Sequence, residues 1–383
     1  TNTKASNNGG AIYGNINVTV VDSTFKGNIA DNSSGAIYSG DAAIVKGSIF
    51  INTTTTGNGG AIVGKDVAIF ASEFVNNTAN IGGAISGTDV AVINSNFTNS
   101  TVNSGGAISG NSVFTFNSTF IKTTATNGNG SAISGNNVIV MNSTFINNTA
   151  KTNGGSIYAN NGSVNVINST FTNTISGNNG GAIYANASLV TVMNSNFTET
   201  KSGENGGAIY SSVNNAIFDI IGSNFNDNSA KGKGASIYTG GIINIKDSTF
   251  NSTNVNGTAT IYIKSSNKTD LTNNTIAGNL LAIYNENGKI TSPTTLTFPI
   301  LTVEKGENAT LTATLTDDKG NIIGSSNPVT GTVNGTPMTF IFDETTRKFT
   351  AVYNDTSAEG KYPITGTYSN ATKCPVTDGA LYV

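Results

Sequence analysis

The sequence predicts an all-β chain: a right-handed parallel β-helix of about twelve coils over residues 1–292, then a β-sandwich over residues 293–383. Three observations carry this. A phrase typified by NNGGAIYGNINVTVVDSTFKGN (7–28) returns about every 25 residues, and a fixed period of that length is the signature of a solenoid. Within each copy apolar and polar residues alternate. Beyond Ser292 the repeat stops, and all six prolines lie downstream of that point.

Two anchors set the period. One is the Ile of G-G-A-I, from Ile12, Ile37 and Ile62 through to Ile283, spaced 22 to 28 residues apart. The other is the Phe of S-x-F, from Phe25 and Phe50 to Phe250, with Ile276 in the eleventh copy. Ahead of each Phe stand pairs such as Val18/Val20, Val67/Ile69 and Val164/Val166. That period of two, rich in β-branched residues and bounded by Gly, Asn and Ser, predicts about three short strands per copy. One copy cannot bury its apolar side alone, whereas stacked copies share a continuous core. At about 4.8 Å per coil the rod is expected to be roughly 55–60 Å long. Asn94, Asn117, Asn142, Asn168 and Asn194, each followed by Ser, are expected to form hydrogen-bonded ladders at the turns.

After the joint, TLTFPILTVEKGENATLTATLTD, GTVNGTPMTFIFD, KFTAVYND and GKYPITGTY alternate between Gly, Asn and Asp turns. About ninety residues with seven or so short strands read as an immunoglobulin-like sandwich, although the Cys…Trp…Cys core is missing. Lys305 and Asn370 are the pair that an isopeptide crosslink would join, but no buried carboxylate can be assigned to catalyse it, so none is expected.

Composition narrows the function. Hydrophobic residues make up 37% and charged ones 11%, so the surface must come mostly from Asn, Thr, Ser and Gly. Clustered Lys/Arg for nucleic acid is absent. No run of about 18 apolar residues is present, so this chain is not expected to insert into a membrane. No signal peptide opens it, as expected of a processed chain or a piece of a longer one. Cys374 is alone, so neither a disulfide framework nor a Cys metal site is available.

The pairing of G-G-A-I with F-x-x-N (Phe25–Asn28, Phe74–Asn77, Phe145–Asn148, Phe225–Asn228) resembles the repeat of the chlamydial polymorphic outer-membrane proteins. The Asn/Thr/Ile-rich composition followed by an immunoglobulin-like module is similar to the adhesin-like surface proteins of methanogenic archaea. The resemblance implies an extracellular, cell-surface protein that attaches to a glycan or protein of another cell. Six copies have Thr or Ser where Asn is expected (Thr53, Ser100, Thr123, Thr174, Thr200, Thr253), and these read as conservative changes at a turn.

Parallel β-helices also host glycan-cleaving enzymes, so fold alone does not exclude catalysis. The residues argue against it. The chain has no His, and its one Arg, Arg347, lies outside the rod. Glycoside hydrolysis needs two carboxylates facing one cleft, and most acids of the rod fall at different phases of the repeat. The exceptions are Asp41, Asp66 and Asp89, each four residues after the repeat Ile. These three are expected to stack as solvated turn residues; a cation held between them is the competing reading. No cofactor is expected.

The position after the repeat Ile reads Tyr13, Tyr38, Val63, Ser86, Ser109, Ser134, then Tyr158, Tyr184, Tyr210, Tyr238, Tyr262 and Tyr284. Since strand neighbours point to opposite faces, Ile should point inward and Tyr outward, giving six exposed rings in a column. Extra residues just after Tyr158, Tyr184 and Tyr210 fall on the same side, and solenoid insertions often mark a binding face. Asn17, Asn76, Asn96, Asn256, Asn308 and Asn334 head N-x-[ST] sequons, in keeping with a secreted glycoprotein. The reading is a monomeric adhesin fragment. A surface spacer and a glycan-binding or glycan-cleaving secreted β-helix are the alternatives.

Overall fold

The computed structural model describes residues 1–211, 213–252, 259–278 and 281–383. Its first part is a β-solenoid of about eleven turns. Each turn feeds three sheets: turns one to five, eight and nine contribute four strands, and turns six and seven, where the two wide-face strands run on as Ile133–Met141 and Ile157–Ile167, contribute the expected three. In the second turn, Ile37–Ser39 and Ala42–Lys46 lie on a wide face, Ile49–Ile51 on a second face lined by Phe, and Thr54–Thr55 on a narrow one. Among the described residues these faces hold 21, 11 and 10 strands. Successive turns pair in parallel and in register: Ile37 opposite Ile62, Val45 opposite Ile69, Phe50 opposite Phe74, Thr54 opposite Thr78.

The Asn- and Gly-rich turns follow from backbone geometry. The residue before each S-x-F is left-handed in all eleven turns, from Asp22 (φ 46) through Asn94 and Asn142 to Asn273 (φ 60). A second left-handed column lies two residues after the Phe, from Gly27 to Asp227. The first Gly of G-G forms a third. Asn and Gly are the residues that occupy this region at least cost. The second Gly is fixed by contact instead: a Cβ on Gly10 would sit 2.1 Å from the Gly35 carbonyl oxygen.

Inside, the Phe rings form one stack from Phe25 to Phe250, with centroids 4.6–4.9 Å apart and planes within 8°. The Ile and Val columns fill the rest, and the narrow face contributes small residues such as Ala30, Ala79 and Ala125. Beside the Phe stack runs a buried serine ladder. Each backbone N–H donates to the next turn's hydroxyl (Ser72 to Ser95, 3.0 Å), and that hydroxyl donates to a carbonyl two residues back (Ser95 to Ile93, 2.9 Å). The ladder ends on Asn274 Oδ1. The neighbouring Asn column is different: its members are exposed turn residues, with Asn117 bonded to Asn94 at 2.9 Å.

The fourth residue of F-x-x-N corrects the sequence reading, because it is not an exposed turn position. Asn28, Thr53, Asn77, Ser100, Thr123, Asn148, Thr174, Thr200 and Asn228 are all buried; Thr253 lies outside the described residues. Thr and Asn pair between turns: Thr123 donates from both N and Oγ1 to Asn148 Oδ1 at 2.9 Å, and the Asn148 amide donates to Phe120 O at 3.2 Å. Thr53–Asn77 and Thr200–Asn228 repeat this. Where no Asn follows in the next turn, as for Ser100 and Thr174, the buried hydroxyl has no partner.

The C-terminal part is the second all-β domain that the sequence predicts. Where a two-sheet sandwich is expected, its strands bond into one curled, mixed sheet of nine. The parallel pairings of Leu296 with Val376 and of Ile300 with Ala380 join the first and last segments of the domain within that sheet. Curling brings strands separated by two others together, so that Tyr353 and Tyr362 touch at 6.1 Å. This domain also caps the rod. Its strand Ile323–Ser325 pairs in parallel with the last wide-face strand, and Ile323, fully buried, continues the Ile column after Ile283. The sequence boundary at residue 293 thus lies before a strand that the solenoid sheet shares.

Lys305 meets Glu359 at 3.9 Å, whereas the Asn370 carbonyl accepts from Ile290 N at the solenoid joint.

Candidate functional site

The Tyr column points outward as the alternation requires, yet its rings are not simply exposed. Tyr158, Tyr184, Tyr210, Tyr238, Tyr262 and Tyr284 stack face to face with centroids 5.0–5.3 Å apart. Stacking hides their faces, so Tyr158, Tyr184, Tyr210 and Tyr284 are half-buried. Tyr238 and Tyr262 are buried, at 8% and 2% exposure, which corrects the expectation of six exposed rings. Tyr13, stacked on one neighbour only, keeps 58%. At the far end Phe342 of the cap sits over Gly324 and meets Tyr284 edge-on at 6.2 Å.

Tyr262 is the most elaborated member. Lys233 Nζ donates to its hydroxyl at 2.6 Å, and the hydroxyl donates to Glu286, itself 3.8 Å from Lys233. Burial first, and then the bond to Glu286, push its pKa far up. Burial and the neighbouring Tyr210 raise that of Tyr238 to about 12.

Just along the same strands lies a recess that the sequence reading missed. Asn214 and Asn215 in turn nine reach over turn ten to turn eleven: Ser265 Oγ donates to Asn214 Oδ1 at 3.3 Å, and Asn267 Nδ2 to Asn215 Oδ1 at 2.7 Å. Below them turn ten is short at Gly241, leaving a cavity of about 330 Å³ lined by these amides and hydroxyls with Ser266 and Asn287. The signal was present in the spacing. From Ile209 to Phe225 is 16 residues, from Ile237 to Phe250 is 13, and from Ile261 to Ile276 is 15, so a short turn lies between two long ones.

The acidic candidates separate. Asp66 lies opposite Asp89, but the partner of Asp66 on the other side is Ala42, so Asp41 is one position out of register. The three therefore do not form one stack. Among the described residues no cluster of three metal-ligating side chains occurs. Of the sequons, Asn17, Asn76, Asn96, Asn308 and Asn334 are exposed; Asn256 lies outside the described residues.

These features define a class, a β-solenoid repeat protein whose outer wide face carries an aromatic ladder beside an amide-lined recess. Within that class, the family model of the Chlamydia polymorphic membrane protein repeat matches residues 142–160, the stretch that runs through Phe145, Asn148 and Ile157. No curated protein and no solved structure matches the chain.

Proposed function

We propose that this chain is part of an extracellular cell-surface adhesin that attaches to glycans of another cell through the part of the wide face that carries Tyr158 to Tyr284, acting as a monomer and without a cofactor. The recess of Asn214, Asn215, Ser265, Asn267 and Asn287 carries the reading. Its neutral amides and hydroxyls both donate and accept, as sugar hydroxyls do, and no charge is present to demand a counter-ion. The adjoining Tyr ladder offers ring edges and hydroxyls at low entropy cost. The matched repeat, by its description that of a membrane protein, supports a surface location. We read the rod as a binding protein rather than an enzyme; the chain has no His, and its one Arg lies outside the rod. The C-terminal domain caps and carries the rod.

The test is attachment to a glycan array and to partner cells. Tyr184→Ser with Tyr210→Ser, and separately Asn215→Ala with Asn267→Ala, should weaken binding at least tenfold while circular dichroism stays unchanged. Serine already stands in this column at Ser86, Ser109 and Ser134. Folded variants that bind like the parent would make the Tyr ladder a structural seam and the rod a spacer.

A further inference from the structure

A second surface feature lies at the other end of the wide face and is unlike the first. In turns two to six an outward column reads Ile44, Ala68, Ala91, Phe114, Ile139 in register. The two alanines lie between bulky neighbours, so the sheet surface dips above them. The resulting groove has a volume of about 500 Å³ and an almost wholly apolar lining. Ile44 and Ile139, at its two ends, remain 45% and 37% exposed.

Two residues back on the same strands runs a parallel column: Ala42, Asp66, Asp89, Ser112, Asn137. It forms one edge of the groove. Asp66 and Asp89 stand directly beside the dip, next to each other, and no Lys or Arg pairs with either among the described residues. Lys65, the nearest cation in sequence, makes no ion pair with them. Two adjacent carboxylates beside an apolar hollow repel one another and favour a cation that brings its own apolar group. No basic residue lines the groove.

We infer that this groove docks an extended basic segment of a partner protein, one in which a Lys or Arg stands two residues from a branched aliphatic or aromatic side chain. The spacing follows from strand geometry. Positions i and i+2 of an extended chain point the same way and lie about 6.5–7 Å apart, which is also the separation of the Asp and Ala columns on one strand. A chain crossing the rod along the strand direction can therefore seat its apolar side chain over Ala68 and Ala91 while its cation lies at Asp66 and Asp89. A glycan suits this site poorly, since the floor offers sugar hydroxyls no polar partner. The site is separate from the amide recess and does not depend on it.

The experiment is fluorescence anisotropy with labelled seven-residue peptides containing Lys-x-Leu, Glu-x-Leu or Lys-x-Ser. The expected order is Lys-x-Leu at least tenfold tighter than either of the others, with affinity falling as salt rises. Asp66→Asn with Asp89→Asn should abolish both the salt dependence and the preference for Lys over Glu. Ala91→Leu should fill the hollow and weaken Lys-x-Leu at least fivefold. That variant is expected to fold, because the same column already accepts Ile44, Phe114 and Ile139. Equal binding of all three peptides, binding indifferent to both variants, or occupancy by neutral glycans alone would overturn the inference. Tyr184→Ser with Tyr210→Ser should leave peptide binding unchanged, so loss of glycan attachment and loss of peptide docking are read independently.

Discussion

Replacing Asn148 tests whether the buried Thr–Asn pairs hold the turns together. Asn148 is fully buried. Its Oδ1 accepts from Thr123 N and Oγ1, both at 2.9 Å, and its amide donates to Phe120 O at 3.2 Å. In Asn148→Ala the Thr123 hydroxyl keeps Ser131 at 3.0 Å, but the Thr123 N–H is left buried without an acceptor. One orphaned buried donor costs about 1–3 kcal/mol, and the small cavity adds to it, giving about 2–4 kcal/mol in all. Thr174, in the same column and equally buried, has an unpartnered hydroxyl. Thr174→Val replaces that hydroxyl by a methyl of the same shape, so its cost should be near zero or slightly favourable. Urea unfolding, checked for coincidence between circular dichroism and fluorescence, gives both numbers; amide exchange at Thr123 should rise in Asn148→Ala alone. Equal costs for the two variants, or a cost under about 1 kcal/mol for Asn148→Ala, would mean that the inter-turn bonds contribute nothing net.

Two further outcomes follow from the stacked columns. Phe145→Ala, between Phe120 at 4.9 Å and Phe171 at 4.6 Å, should cost about 3–5 kcal/mol, and Phe25→Ala, with the one stacked neighbour Phe50 and 8% exposure, about half as much; equal costs would contradict a stack whose members are held from both sides. Tyr238, neutral up to about pH 12 in the folded chain but only to about pH 10 when unfolded, binds more protons folded than unfolded in that window, so its contribution is intact below pH 10 and lost as pH rises toward 12. Melting temperatures from pH 8 to pH 11.5 should therefore fall less steeply for Tyr238→Phe than for the parent, and parallel curves would refute the assignment.

What the sequence made legible is whatever repeats in register. Ile, Val and Phe recur at one phase of every copy, so the solenoid and its inward columns follow from period and alternation alone. The F-x-x-N residue reads from sequence as an exposed turn position because Asn and Thr are both common at turns. Only the inter-turn pairing, Thr123 on Asn148 but Thr174 on nothing, shows that the position is inside. Alternation puts the Tyr column on the outer side, but sequence spacing does not show that rings about 5 Å apart bury one another. The cap is hidden in the sequence for a related reason: Ile323 continues the Ile column, but it stands without the G-G-A typical of the repeat, within a differently patterned domain. Both surface sites escaped because they arise from departures from the repeat. The amide recess needs one short turn between two long ones, and the apolar groove needs two alanines where neighbours carry Ile and Phe. In a solenoid the regular positions set the fold and leave the irregular ones free to differ, so the surface that distinguishes one rod from another is read from the breaks in its pattern.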